Sequence, residues 1–231
     1  MRAGGSPLDL LRQDVIECRR CPRLREHCAK IASEKRRAYM SWEYWGKPVP
    51  GFGDPRAKLL IIGLAPAAHG ANRTGRMFTG DRSGDLLYKV LYDTGFASQP
   101  LSRSRDDELI LKGAYVTAVA RCAPPGNKPA PNEIQNCREY LEREMAILSG
   151  VKAVVALGRI AFDGYLAVLR DRGLIRSRAA FVFAHNRKHR TAPGQPLLIS
   201  SYHPSRQNTS TGKLTEKMLR QVFQHAWRST R

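Results

Sequence analysis

Short apolar runs alternate with amphipathic stretches over most of the chain. Four of these runs are rich in aliphatic residues and short enough to be buried strands, at 59–62, 114–120, 151–157 and 197–201. Each is followed by a stretch with the helical spacing of apolar residues, at about 85–94, 132–148, 158–169 and 215–227. Because strands and helices alternate, we expect an α/β domain with a central four-stranded parallel sheet and helices on both faces.

The first predicted strand opens into a long polar loop, residues 63–84, which is rich in glycine and contains histidine, asparagine, arginine and aspartate. Such a loop has little core to bury, which favours a functional role over a surface excursion with good turn residues. It is not a phosphate-binding P-loop, because no Gly-Lys-Ser/Thr sequence ends it. We expect Ser83 to cap a helix that begins near Asp85.

Polar loops follow three of the four predicted strands. After the long loop of the first strand come a proline-rich segment at 121–131 and, behind the fourth strand, the sequence His203-Pro204-Ser205. Ligands bind at the carboxyl ends of strands in open α/β sheets, so we expect Asp81, Asn127 and His203 to share one pocket.

Each residue of this predicted pocket also has a purely structural interpretation. Asp81 precedes a helix and favours its dipole, Asn127 suits a turn, and His203 is a histidine at the end of a strand. Phe78 is either a core aromatic or a platform on which a nucleic-acid base stacks. The convergence of the loops, rather than any single residue, therefore carries the prediction of a site.

Basic residues outnumber acidic ones, with 39 Lys and Arg against 20 Asp and Glu and a formal net charge of +19 over 231 residues. This charge indicates a polyanionic partner, above all nucleic acid, and a generally basic solvated surface is the alternative. No apolar run approaches the ~20 residues that cross a bilayer, and residues 1–10 lack the apolar core of a secretory signal. We therefore expect a soluble cytoplasmic protein with no membrane partner.

Five cysteines in a chain expected to be intracellular indicate metal binding or catalysis rather than disulfides. Cys18 and Cys21 form a chelating pair with two residues between them, and fourteen residues separate Cys122 from Cys137. Two such pairs close a four-thiolate site, whose spacing does not choose between zinc and an iron–sulfur cluster. The alternative is that Cys122 and Cys137 are ordinary buried thiols, and Cys28 is left without a role.

Together these motifs closely resemble those of the uracil-DNA glycosylase superfamily, specifically its family-5 type (UDGb). Residues 63–70, 73–76 and 78–81 are similar to that family's first motif almost letter for letter, and residues 203–208 are similar to its second. The resemblance covers nearly the whole chain, so we expect residues 1–231 to form a single uracil-DNA glycosylase-like domain. It implies a base-excision repair enzyme that flips a deaminated base out of DNA and hydrolyses its N-glycosidic bond.

The resemblance implies a role for each candidate residue. Asp81 stabilises the positive charge that develops on the sugar and activates water. Asn127 places the water or the base, and His203 donates a hydrogen bond to the departing base. The implied base pocket consists of Gly63, Leu64, Ala65, Pro66, His69, Phe78 and Ala118. The implied DNA contacts, which give salt-dependent affinity, are made by Arg73, Ser205, Arg206, Gln207, Asn208 and Lys213.

Ala118 departs from the pattern of most of the superfamily. It stands where related families resemble one another in placing an asparagine that reads uracil, and alanine has no hydrogen-bonding side chain. The family-5 type is correspondingly known for wider substrate use, which implies that hypoxanthine and xanthine are substrates beside uracil. Leu64, next to the variable catalytic position of the superfamily, supplies no carboxylate, so catalysis depends on Asp81.

The resemblance also implies a [4Fe–4S] cluster on Cys18, Cys21, Cys122 and Cys137. Its implied role is structural, because glycosylase chemistry moves no electrons, and it would tie residues 1–57 to the loop of Asn127. A redox or DNA-charge sensing role is the alternative. We expect a monomer without an obligatory protein partner, associated with the nucleoid if the source is a bacterium. Two other hypotheses stay open, a non-catalytic binder of uracil-containing or damaged DNA on the same fold and a zinc-stabilised nucleic-acid module.

Overall fold

The computed structural model describes residues 5–231, and its six strands form one sheet with the order β1-β3-β2-β4-β6-β5. The strands are β1 (Phe52–Gly53), β2 (Leu59–Gly63), β3 (Ala114–Ala118), β4 (Ala153–Leu157), β5 (Arg187–Arg190) and β6 (Leu197–Ser201). The four predicted strands are present as β2, β3, β4 and β6, and they are parallel to one another. The predicted α/β fold is confirmed.

The sheet has six strands rather than the four predicted, because a short antiparallel strand is added at each edge. β1 has only two residues, and β5 has the sequence Arg-Lys-His-Arg with three of its four residues exposed. Neither segment has the apolar pattern of a buried strand, so hydrophobic patterning could not predict them. Charged and short strands at the edges also protect a sheet against pairing with other chains.

Helices cover both faces of the sheet, as predicted. The helices are α1 (Pro7–Ile16), α2 (Pro22–Glu34), α3 (Ala71–Thr74), α4 (Arg82–Asp93), α5 (Pro131–Ile147), α6 (Arg159–Asp171), α7 (Arg206–Ser210) and α8 (Glu216–Thr230). Within β2, Leu59 and Ile61 face the core under α4 and α8, whereas Leu60 and Ile62 face the core under α5 and α6. This alternation follows from the two-residue period of a strand. No helix within residues 5–231 is long and apolar enough to cross a membrane.

The segment before the sheet is held against helix α5. Leu11 and Val15 of α1 are buried against Tyr140. Three ion pairs with N···O distances of 2.6 to 2.7 Å join α1, α2 and the residues between them to α5: Arg20 with Glu139, Arg23 with Glu133, and Arg143 with Asp14. Hydrophobic burial and these ion pairs therefore attach the amino-terminal segment to α5 through the protein's own side chains.

Candidate active site

The long loop ends at Asp81, which caps helix α4. The Asp81 Oδ1 atom accepts hydrogen bonds from the backbone N–H groups of Ser83 at 2.9 Å and Gly84 at 3.1 Å. The helix therefore begins at Arg82, and the prediction that Ser83 caps a helix starting near Asp85 is wrong. Aspartate at this position satisfies two N–H groups that have no partner inside the helix and complements the helix dipole.

The carboxyl group of Asp81 is confined but retains a free oxygen. Burial raises its pKa, while the N–H groups of Gly84 and Ser83 act in the opposite direction by stabilising the ionised form. Both hydrogen bonds within residues 5–231 reach Oδ1, which leaves Oδ2 for a ligand. A Cβ atom at Gly70 would lie only 2.0 Å from Oδ2. The absence of a side chain at Gly70 therefore makes the observed carboxylate position possible.

Phe78 lies between two glycines and His203. Its φ of +54° is unusual for a residue with a side chain. A Cβ atom at Gly63 would lie 2.7 Å from the Phe78 ring, and one at Gly84 would lie 1.7 Å from the Phe78 carbonyl oxygen. The ring of His203 stacks on that of Phe78 with a centroid separation of 5.8 Å and an interplanar angle of 29°. The structure thus brings the loops after β2 and β6 together.

His203 is a neutral imidazole at physiological pH, because burial lowers its pKa to about 4. A neutral ring donates through one nitrogen and accepts through the other. The backbone carbonyl of His203 accepts a hydrogen bond from Asn208 Nδ2 at 2.8 Å, which fixes the start of the second motif. The histidine is therefore positioned to donate one hydrogen bond without carrying a charge.

The remaining residues of the predicted base pocket line the start of the loop. Ala118 is 1% exposed, pairs in register with Gly63, and belongs to the same core cluster as Phe78. Pro66 is buried, and Leu64, Ala65 and His69 are half-buried. Leu64 packs against the core on the α6 side. His69 Nδ1 lies 3.1 Å from the Tyr44 hydroxyl.

Asn127 is exposed at the end of a short 3₁₀ turn, Pro125–Asn127, and has a φ of +57°. Asparagine tolerates this left-handed conformation better than other residues with side chains. The loop that carries Asp81 and the loop that carries His203 meet through Phe78, and within residues 5–231 no hydrogen bond joins the Asn127 side chain to either residue.

The predicted DNA contacts separate into buried and exposed residues. Arg73 is 3% exposed, and its guanidinium is enclosed by the rings of Tyr39 and Trp42. It is therefore not open to a DNA phosphate, and the contact predicted for it is wrong. Ser205 caps α7 by accepting a hydrogen bond from the Asn208 N–H, and Asn208 holds the His203 carbonyl. The exposed members of the set, which are open to a phosphate, are Arg206, Gln207 and Lys213.

Three of the cysteines gather where α2 meets the loop after β3, whereas Cys18 packs against the separate cluster of Tyr140. Cys21, Cys28 and Cys122 share one buried cluster, and Asn136 Nδ2 lies 3.5 Å from the Cys21 sulfur. The pKa of Cys137 is raised to about 12, chiefly by burial, and the nearby Cys122 and Cys21 contribute in the same direction. Within residues 5–231, no three metal-binding side chains are grouped closely enough to hold an ion as placed.

A second buried arginine holds the loop in place and was not predicted. Arg76 is 3% exposed and donates to Asp107 Oδ1 at 2.6 Å, to Ser102 Oγ at 2.8 Å and to Thr79 Oγ1 at 3.0 Å. These contacts join the first motif to the polar, charged segment after α4. No local signal marks Asp107, because the pair is separated by 31 residues.

Comparison with known proteins matches residues 50–228 to the uracil DNA glycosylase superfamily. A type-5 uracil-DNA glycosylase of Thermus thermophilus is 49% identical over 216 residues, which are 94% of this chain and 95% of the relative. The protein of the same description from Mycobacterium tuberculosis is 47% identical over 92% of this chain and 78% of the relative. That from Pyrobaculum aerophilum is 41% identical over 92% and 88%.

Proposed function

Since the chain belongs to the uracil DNA glycosylase superfamily and, within it, to the type-5 uracil-DNA glycosylases, we propose that it hydrolyses the N-glycosidic bond of uracil in DNA and leaves an abasic site. The observation that carries this proposal is the partly buried Asp81 carboxylate, held by two N–H groups at the start of α4. The neutral His203 stacks on Phe78, which lies three residues before Asp81 in the same loop.

The proposed reaction begins with rotation of the damaged nucleotide out of the duplex, since the glycosidic bond cannot be reached inside the stack. As the base departs, positive charge grows on the sugar. The Asp81 carboxylate stabilises this charge and orients or deprotonates the attacking water through Oδ2. A pKa raised by burial suits that task, because a general base works best when its pKa approaches the working pH.

His203 has the complementary role toward the leaving base. Negative charge grows on the base as the bond breaks, and a preorganised donor in a dry site stabilises it. The neutral imidazole supplies such a donor without needing a buried positive charge. Asn127 completes the proposed set by placing water or the base, which requires its exposed side chain to turn toward the pocket when DNA binds.

Broad base specificity is the second part of the proposal. The methyl group of Ala118 faces the core cluster that contains Phe78, and it offers neither donor nor acceptor to a base edge. Uracil, hypoxanthine and xanthine differ at the edges that an asparagine would read. A site without that reader discriminates among them weakly, since strong discrimination arises where buried polar groups would be left unpaired.

We place a [4Fe–4S] cluster on Cys18, Cys21, Cys122 and Cys137, with a structural role. Thiolates suit such a cluster, and Cys122 lies near enough to raise the pKa of both Cys21 and Cys137. Cys28, in the same buried cluster as Cys122, is a nearby fifth thiol. The measurement is iron, sulfide and zinc content with the absorption near ~400 nm expected of thiolate-bound iron. Zinc in place of iron would refute the cluster.

The proposed activity is tested with labelled duplexes that contain a central uracil or hypoxanthine. After incubation with the protein, alkali breaks the strand wherever an abasic site has formed. Strand breaks in both duplexes support a broad-specificity glycosylase, and breaks at uracil alone would refute the argument from Ala118. Retention of the duplex without strand breaks would show a non-catalytic binder. The monomeric state and the location on the nucleoid remain predictions.

A further inference from the structure

We propose that Arg73 is a positioning residue for Asp81, acting through the carbonyl of Gly80, and that Tyr39 and Trp42 hold it there. This inference rests on the proposed role of Asp81 in catalysis. It assigns a role to Tyr39 and Trp42, which lie before the sheet in the sequence, and it replaces the phosphate contact predicted for Arg73.

The guanidinium of Arg73 joins two backbone carbonyls of the long loop that ends at Asp81. Its Nη2 donates to the Gly80 carbonyl at 2.8 Å, and its Nε donates to the His69 carbonyl at 2.8 Å. The Gly80 carbonyl belongs to the peptide group whose nitrogen is that of Asp81, so this hydrogen bond fixes the plane from which the Asp81 side chain departs. A Cβ atom at Gly80 would lie 2.5 Å from Nη2, so the close approach of the guanidinium depends on glycine at this position.

Two aromatic rings enclose the same guanidinium. The Arg73 Cζ atom lies 4.0 Å from the centroid of the Tyr39 ring and 4.1 Å from that of Trp42. Ring faces attract a cation, and more strongly where it is shielded from water. Arg73 is 3% exposed and takes part in none of the ion pairs within residues 5–231. Its charge is thus not neutralised by a partner carboxylate.

A buried charge without a carboxylate partner acts on other groups nearby. Burial has the largest effect on the pKa of Asp81 and raises it, and the charge of Asp85 acts in the same direction. The charge of Arg73 lowers this pKa, with a smaller effect than burial or the hydrogen bonds from Gly84 and Ser83. The geometry thus gives Arg73 two effects on the carboxylate, a fixed peptide plane and a field that favours the ionised form. Arg76 provides the contrast, because its buried charge is paired with Asp107.

Helix α3, which carries Arg73, is held by hydrogen bonds with Cys28 and with the aromatic segment before the sheet. Asn72 Nδ2 donates to the Cys28 carbonyl at 3.3 Å, the Trp45 N–H donates to the Arg73 carbonyl at 2.9 Å, and the Gly46 N–H donates to the Asn72 carbonyl. Residues 39–46 therefore pack against the catalytic loop. They contact Arg73, and Arg73 in turn donates to the carbonyl of the peptide group that precedes Asp81.

The test compares Arg73→Gln and Arg73→Lys with wild type in single-turnover excision from a uracil duplex as a function of pH. Both variants lose the two-pronged contact, so both rates fall on the order of 10- to 100-fold, as expected for a shift of about 1 Å in a catalytic group. Only Arg73→Gln loses the charge, so only this variant moves the acid limb of the profile to higher pH. Trp42→Leu lowers the rate by a smaller factor.

Arg76→Gln is the matched control, since it neutralises an equally buried arginine of the same loop. We expect it to lower Tm without moving the acid limb. Rates of the Arg73 variants equal to wild type, or losses that follow Tm with an unmoved acid limb, would overturn the proposal. A weaker duplex Kd with a salt slope reduced by about 1 would restore the phosphate contact instead. A wild-type rate for Asp81→Asn would refute the proposed catalytic role itself.

Discussion

Replacing Gly70 by alanine tests how closely the catalytic carboxylate is confined. An added Cβ atom would lie 2.0 Å from Asp81 Oδ2 and 2.9 Å from its Cγ. Because real Cβ atoms essentially never approach another heavy atom within 3.0 Å, Oδ2 must retreat by at least 3.0 − 2.0 = 1.0 Å. The φ of Gly70 is −100°, so alanine meets no left-handed strain there, although its ψ of −103° lies outside the helical and extended regions.

The expected consequence is a loss of rate rather than of fold. A misplacement of about 1 Å costs on the order of 100-fold in rate, or about 2.7 kcal/mol of transition-state stabilisation. If the carboxylate instead rotates away from α4, the lost cap costs about 1 kcal/mol of stability. Single-turnover excision from a uracil duplex measures the first effect, and thermal unfolding measures the second.

Gly150→Ala is the control for this substitution, because its added Cβ atom would meet only the Ala57 carbonyl at an ordinary 3.8 Å. We expect its rate to equal that of wild type. A folded Gly70→Ala protein with the wild-type rate would show that the position of Asp81 does not limit catalysis. The account of the confined carboxylate would then be refuted.

The remaining predictions concern pH, specificity and salt. The pKa of His203 is lowered from 6.5 to about 4, so below pH 6.5 the unfolded state binds a proton that the folded state does not. The free energy of unfolding should therefore fall by up to about 3 kcal/mol between pH 6.5 and pH 4. His203→Gln, unfolded over the same pH range, should lack this fall. Ala118→Asn should slow excision of hypoxanthine at least about tenfold relative to uracil, as competition between the two duplexes would show. Arg206→Gln and Lys213→Gln should each reduce the slope of log Kd against log salt by about 1, and an unchanged slope would remove that residue from the interface.

The fold was predictable because its central strands are buried on both faces. Runs such as 59–62 and 197–201 have no polar interruption, and the amphipathic helices between them permit few other arrangements. The edge strand Arg187–Arg190 could not be predicted, since its place is set by backbone pairing with β6 and not by burial. Long-range backbone pairing has no local signature in a charged segment.

The site was predictable to the extent that it follows strand ends. The approach of Phe78 to His203 follows from parallel strands, whose carboxyl ends share one edge of the sheet. The function of Arg73 was mistaken because a sequence shows an arginine's charge but not its burial. Two aromatic rings from the segment before the sheet enclose it, and only the folded chain brings them together.

The central claim is that hydrolysis of the glycosidic bond requires the Asp81 carboxylate, whereas binding of the DNA does not. Its most direct test measures both the Kd and the single-turnover excision rate of wild type and Asp81→Asn on one uracil duplex. Asparagine can still cap α4, so the fold and the affinity should be kept. We predict a rate lower by about 10²- to 10⁴-fold with an unchanged Kd. An unchanged rate, or a loss explained by weaker binding, would contradict the claim.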